Sequence, residues 1–274
     1  ISLVGSEMCI RDRNPKRRDM TDEALIFNSE PHRKISAVLS WLAAEGTDEE
    51  QTDGMITTEA IKLMAQKRDK PFYLGVGFFR PNTPFVAPKK YFAMYPLKDM
   101  RLPYAPKGDR NDIPTAAFAH NCPVPHYNLD ELTLRKALQA YYATISFVDS
   151  QVGRLMTALD ELKLADNTIV IFYADNGGHG GVTSNAPLRG SKGMLYEGGI
   201  RVPMAVRWPG VVKSGTTSDE PVIGIDLYPT LLEATQTKLP PRVKLDGTSL
   251  LALFSDAGAS LFRPAIYWHF PAYL

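Results

Sequence analysis

Thr168-Ile169-Val170-Ile171-Phe172-Tyr173-Ala174-Asp175-Asn176-Gly177-Gly178 is the stretch on which the fold turns. A run of β-branched and aromatic residues follows the turn Asp166-Asn167 and ends in a carboxylate, an amide and two glycines. A short apolar run bounded by turn residues suits a strand buried on both faces, as in a parallel sheet covered by helices. Functional groups in such sheets collect where strands end at their carboxyl edge, which is where Asp175 and Asn176 stand. Their side-chain oxygens are the hard donors that calcium or magnesium takes, and the glycines let the backbone turn tightly behind them. The plainer alternative is an Asx turn that caps the next element.

Upstream, the apolar residues Leu134, Leu138, Tyr141, Ile145, Val148 and Val152 recur in steps of four and three and continue to Leu162. This predicts one long helix with a core-facing stripe. PFYLGVGFF, residues 71 to 79, lies between Lys70 and Arg80-Pro81 and predicts a second buried strand, and Val202 to Trp208 a third. The three are expected in one sheet with the long helix along it. Ile35, Val38, Leu39 and Leu42 between Asp22 and Glu50 predict an amphipathic helix; Ile61, Leu63 and Met64 within Thr57 to Gln66 predict another. A further helix is expected over 225 to 235. Prolines from Pro81 to Pro114 mark a largely irregular surface stretch with one short helix near Lys89 to Met94. Strands alternating with helices imply an α/β fold, its mostly parallel sheet flanked by helices.

The composition excludes several classes. With 44% hydrophobic and 22% charged residues in 274, the chain is globular rather than disordered or fibrous. Lysine plus arginine number 31 against 30 acids, so charge gives no case for binding nucleic acid or an anionic membrane. No apolar run approaches the roughly 18 to 20 residues needed to span a bilayer. Two cysteines cannot supply a disulfide framework and lack zinc-ligand spacing. Leu3 to Arg13, LVGSEMCIRDR, can be written as an in-frame translation of a common transposase sequencing adapter. Residues 1–13 are therefore expected to be an artefact that includes Cys9, with the natural chain beginning further upstream. At the other end, Tyr267, Trp268, Phe270 and Tyr273 are expected to pack against something beyond the chain end.

A second chemical signal follows the first strand end. In Leu188-Arg189-Gly190-Ser191-Lys192-Gly193 a lysine between glycines suggests an anion site, with a solvated loop lysine as the alternative. The order lacks the Gly-Lys-Ser/Thr of a phosphate-binding P-loop.

Together these segments resemble the sulfatase family of the alkaline-phosphatase-like superfamily. The likeness covers most of residues 50 to 274 and rests on several blocks in order: KPFYLGVGFFRPNTPFVAPKKYF, YYATISFVDSQVGRL, IVIFYADNGG, LRGSKGMLYEGGIRVPMAVRWPG, GIDLYPTLLEAT and YWHFP. Lys70 to Leu102 looks like the iduronate-sulfatase branch and its bacterial relatives, whereas ADNG with LRGSKG looks like arylsulfatases. The resemblance implies an alkaline-phosphatase-like domain, incomplete at both ends, with residues 14–274 forming part of the catalytic unit. It implies hydrolysis of sulfate esters on a sulfated small molecule or glycan, with Ca2+ (or Mg2+) and a formylglycine made from the cysteine of C-x-P-x-R. By position Asp175 and Asn176 match the family's C-terminal pair of metal ligands. Lys192 matches its sulfate-binding, catalytic lysine. Asn82, in Arg80-Pro81-Asn82-Thr83-Pro84, stands where the family commonly has a histidine that contacts the sulfate or the leaving oxygen. His179 is near enough in sequence to be substrate-binding, or is a surface histidine.

Two departures qualify the likeness. Asparagine donates a hydrogen bond but cannot titrate, so Asn82 cannot be a general acid. No C-x-P-x-R occurs in the sequence, and Cys122, in Cys122-Pro123-Val124-Pro125-His126, reads as an ordinary loop thiol. The nucleophile, the first aspartate pair and any signal region are expected upstream; a periplasmic or secreted location follows from the resemblance alone. Two other readings stand beside it. A non-catalytic binder of sulfated glycans draws support from Asn82. A phosphatase or phosphodiesterase of the same superfamily would use transition metals, against which Asp175-Asn176 in place of an Asp-His pair argues.

Overall fold

The computed structural model describes residues 23–34, 38–102, 108, 111, 128–178 and 183–269. The elements in order are β1 (Phe27–Asn28), β2 (Ser40–Ala44), α1 (Thr52–Met64), β3 (Phe85–Pro88), α2 (Lys89–Ala93) and α3 (Glu131–Glu161). Then come β4 (Val170–Tyr173), α4 (Glu197–Ile200), β5 (Met204–Arg207), α5 (Leu227–Ala234) and α6 (Leu251–Ser255). The fold is mixed α/β.

Helix α3 runs for 31 residues from Asp130, whose carboxylate accepts the Thr133 N–H at 3.0 Å and so satisfies one of the orphan amides of the first turn. Ala137, Ala140, Ala143 and Phe147 on one face are at most 1% exposed. The alanines bring the helix axis close to β2 and β3, where Leu39, Phe85 and Ala87 complete two clusters. The leucine-rich stripe lies one residue further round. Its upper end packs with Met64 and Val170, while Ile145 is 40% exposed. The helix thus has two adjacent apolar faces, and the alanine face is the more deeply covered.

Two sheets are present among the described residues. In one, β2 pairs antiparallel with β1 and parallel with β3; in the other, β4 pairs antiparallel with β5. The sequence-based expectations need three corrections. Ser40–Ala44 is a strand rather than part of a helix, because Ser40 and Ala44 are buried at its ends and its backbone finds a parallel partner in Phe85–Pro88. That partner sits inside the proline-rich stretch, preceded by Pro84 and ending in Pro88, and all four of its residues are buried. Residues 71–79 form no ladder: Phe72, Leu74, Val76 and Phe78 pack towards α1 and the end of α3, while Tyr73 is exposed. The expected single sheet of 71–79, β4 and β5 is therefore not formed, and Phe172 and Tyr173 of β4 are about half exposed rather than buried. The aromatic end of the chain is described only to residue 269, where Tyr267 and Trp268 are exposed.

Two buried carboxylates tie loops to helices. Asp226, fully buried at the start of α5, accepts the N–H groups of Ile223 and Thr248 and an ion-paired hydrogen bond from Arg263, each at 2.9 Å. Asp48, after β2, is reached by the Tyr91 hydroxyl at 2.6 Å, by Gln151 of α3 and by Lys90 of α2 at 2.7 Å. Burial alone would raise the Asp48 pKa; the Lys90, Tyr91 and Gln151 contacts outweigh it and hold the carboxyl below the usual range.

A carboxylate depressed in the folded state adds stability that is complete above its unfolded value of about 4 and is lost as pH falls through the folded one. Asp48→Asn should therefore lower stability by about 1 to 3 kcal/mol at pH 7 and by progressively less below about pH 4. Urea melts followed by circular dichroism across that range test this; an equal loss at every pH would assign the effect to packing.

Candidate active site

Strand β4 ends at Tyr173, and the chain turns through Asp175-Asn176-Gly177-Gly178 towards the loop that carries Lys192. The two segments are joined through their backbones. Gly177 N–H donates to Gly199 C=O at 2.9 Å, and Lys192 N–H donates to Gly178 C=O at 3.0 Å. The approach leaves no room for a side chain: a Cβ on Gly177 would lie 1.9 Å from the Gly198 oxygen. Gly190 holds φ +84°, the left-handed region that glycine enters without strain, and so turns the chain just before Lys192. The Asn185 side chain bridges the same two segments, its Oδ1 accepting from Gly178 N–H and its Nδ2 donating to the carbonyls of Gly178 and Gly190. Arg189 lies over the Tyr196 ring at 4.4 Å on the outer side of the loop.

Asp175, Asn176 and Lys192 are thus brought into one neighbourhood. Asp175 is exposed and Asn176 and Lys192 are half-buried. No hydrogen bond or ion pair from the described residues engages the Asp175 carboxylate. Among those residues no group of three or more His, Cys, Asp or Glu stands together. A carboxylate and an amide oxygen on one turn fit a hard cation in donor chemistry, but they supply only part of the roughly six to eight oxygens that calcium takes. His179 and Cys122 lie outside the described residues.

Asn82 is exposed on the turn Arg80–Pro84. The fully buried Asp53 of α1, which sequence reasoning passed over, holds that turn by accepting the N–H groups of Phe79 at 2.9 Å and Arg80 at 3.0 Å. Burial draws the Arg80 guanidinium pKa down, Asp53 pulls it back, and Nε–H donates to Val86 C=O at 3.1 Å. Pro81, next to Asn82, shares a largely apolar cavity of about 540 Å³ with Val148 and Val152 of α3, Phe172 of β4 and Val206 of β5. The cavity brings the turn to the β4 side of the molecule, although no hydrogen bond among the described residues joins Asn82 to Asp175, Asn176 or Lys192. Asp53 carried no motif; an acidic residue in the first turn of a helix was the only signal available.

The sulfatase family model matches residues 8–237, most of the chain. The chain belongs to the sulfatase family. A sulfatase of Formosa agariphila is 40% identical over 281 residues, covering 90% of this chain and 50% of that protein. Human iduronate 2-sulfatase is 32% identical, covering 74% of this chain and 38% of its own length. The crystal structure of Ps i-CgsB in complex with k-i-k-neocarrahexaose is 28% identical, with a TM-score of 0.57, over 76% of this chain and 39% of that one. The fold is that of the alkaline-phosphatase-like superfamily, and this sulfatase chain spans about half or less of the length of these relatives. Among the described residues no helix is long and apolar enough to cross a membrane.

The close approach of the two segments predicts a contrast between glycines. Gly177→Ala should cost about 1 to 3 kcal/mol, since backbone must move to admit the methyl group. Gly153→Ala, in α3 with nothing within 4 Å of its Cβ, should add about 0.5 to 1 kcal/mol. Denaturant midpoints of the two variants measure the difference; equal effects would mean that the turn and the start of α4 are not in close contact.

Proposed function

We propose that the protein of which this chain is a part hydrolyses sulfate esters on sulfated carbohydrates, and that Asp175, Asn176 and Lys192 belong to its active site. The observation that carries this reading is the backbone junction between the Asp175–Gly178 turn and the Lys192 loop, in a chain of the sulfatase family. Family membership alone would leave the roles of these residues open. Their junction supports a shared site, because a cation ligand pair and an ammonium can act on one sulfate only if both reach it.

In this reading Lys192 binds the sulfuryl oxygens and neutralises charge that builds on them and on the leaving oxygen as the ester bond breaks. Asp175 and Asn176 would hold a calcium or magnesium ion, which would polarise the same oxygens when bound. Asn82 donates a hydrogen bond to the substrate and transfers no proton. The Arg80 and Asp53 contacts fix its turn. His179 is assigned a further contact to the substrate. The nucleophile, a formylglycine, and the remaining cation ligands are assigned to parts of the protein outside these residues, since no C-x-P-x-R occurs in them. Export to the periplasm or beyond the cell suits this chemistry.

Asn82 also favours a second reading, a non-catalytic relative that binds sulfated glycans without cleaving them. Turnover separates the two. In the full-length protein Lys192→Ala should lower kcat/KM for an aryl sulfate by about 100- to 1,000-fold. The isolated 274-residue chain should show no turnover even with calcium and the formylglycine-generating enzyme present. A full-length protein that binds sulfated glycan but turns over no sulfate ester would support the binding module; turnover by the isolated chain would defeat the assignment of the nucleophile.

A further inference from the structure

We propose that Asn185 is a positioning residue that sets the separation between the Asp175–Asn176 pair and the Lys192 ammonium. This rests on the sulfatase reading above. One primary amide makes three hydrogen bonds across the site: Oδ1 accepts from Gly178 N–H at 3.0 Å, and Nδ2 donates to Gly178 C=O at 2.9 Å and to Gly190 C=O at 3.3 Å. Two of these engage both polar groups of a single peptide residue, as a neighbouring strand would, and so fix its orientation as well as its distance. Gly178 is two residues from Asn176, and Gly190 is two residues from Lys192. The Lys192 N–H bond to Gly178 C=O closes the ring, so that oxygen accepts from both Asn185 and the lysine's own backbone.

The neighbouring residues are shaped to this arrangement. A Cβ on Gly178 would lie 2.8 Å from Asn185 Oδ1 and 2.4 Å from Thr183 Cγ2, so only glycine lets the amide seat. Burial raises the pKa of the Tyr141 phenol and the neighbouring Thr183 side chain lowers it, and Tyr141 packs edge-on against Phe85. Aspartate at this position would keep the acceptor, lose both donors and set a carboxylate against two carbonyl oxygens. Alanine would remove all three bonds.

A residue that serves only to hold the loop together would lower stability, and its effect on turnover would be independent of Lys192. A positioning residue acts through Lys192, so its effect should largely vanish when the ammonium is gone. The test is a cycle of Asn185→Ala, Lys192→Ala and the double variant in the full-length protein, with kcat measured on an aryl sulfate. Amide hydrogen exchange at Lys192 is followed in protein treated with a chelator.

Asn185→Ala is expected to lower kcat about 10- to 100-fold alone, but less than about threefold in the Lys192→Ala background. It should speed exchange of the Lys192 N–H, whose acceptor the substitution does not remove. Gly178→Ala, which displaces the same amide from the other side, should reproduce both effects. If Asn185→Ala does not fold, Asn185→Asp is read in the same cycle. Losses that multiply fully in the double variant, an unchanged kcat, or unchanged exchange at Lys192 would overturn the positioning role alone. Full activity in Lys192→Ala would overturn the site reading and the positioning role with it.

Discussion

The contact between the alanine face of α3 and the strands β2 and β3 is the constraint from which the remaining arrangement follows. Ala137, Ala140 and Ala143 have no exposed surface, so the helix sits at the distance their methyl groups permit, and Phe85 and Phe147 fill what is left. Once α3 is fixed there, its other face is fixed as well. Leu155, Met156 and Leu159 meet Val170 at the base of β4, and Ile145, Val148 and Val152 line the cavity shared with Pro81 and Phe172. The strand whose end carries Asp175 is thus placed by its packing on this helix.

Polar groups then align what the apolar packing brings near. Asp48, Asp53 and Asp226 are each buried and each satisfied by more than one donor, which is the condition under which a buried carboxylate is tolerated. They tie loops to helices: Asp48 joins the end of β2 to α2 and α3, Asp53 joins α1 to the Arg80 turn, and Asp226 joins the start of α5 to Arg263. Of the three, Asp53 holds the turn that carries Asn82.

The site itself rests on backbone rather than on side-chain packing. Gly177, Gly178 and Gly190 let two loops meet at hydrogen-bonding distance, and Asn185 supplies the side-chain bonds across the junction. Membership of the sulfatase family and an alkaline-phosphatase-like fold are the context for the role proposed for this junction. The chain spans about half or less of the length of these relatives.

The sequence by itself determined the long helix, the strands at β4 and β5, the helix of α1 and the Asp-Asn-Gly-Gly and Gly-Ser-Lys-Gly segments. Each of these is written in local periodicity or in adjacent residues, and family likeness could be read from their order. Only the tertiary structure decided the rest. Ser40–Ala44 and Phe85–Pro88 become strands because each finds the other, a pairing between segments that neither can report; residues 71–79 have the composition of a strand and form no ladder. The alanine face of α3 outranks the leucine stripe because burial depends on what lies opposite, not on side-chain size. Asp53 and Asn185 were invisible as functional residues, since an isolated aspartate or asparagine acquires its role only from the N–H and C=O groups that folding sets around it.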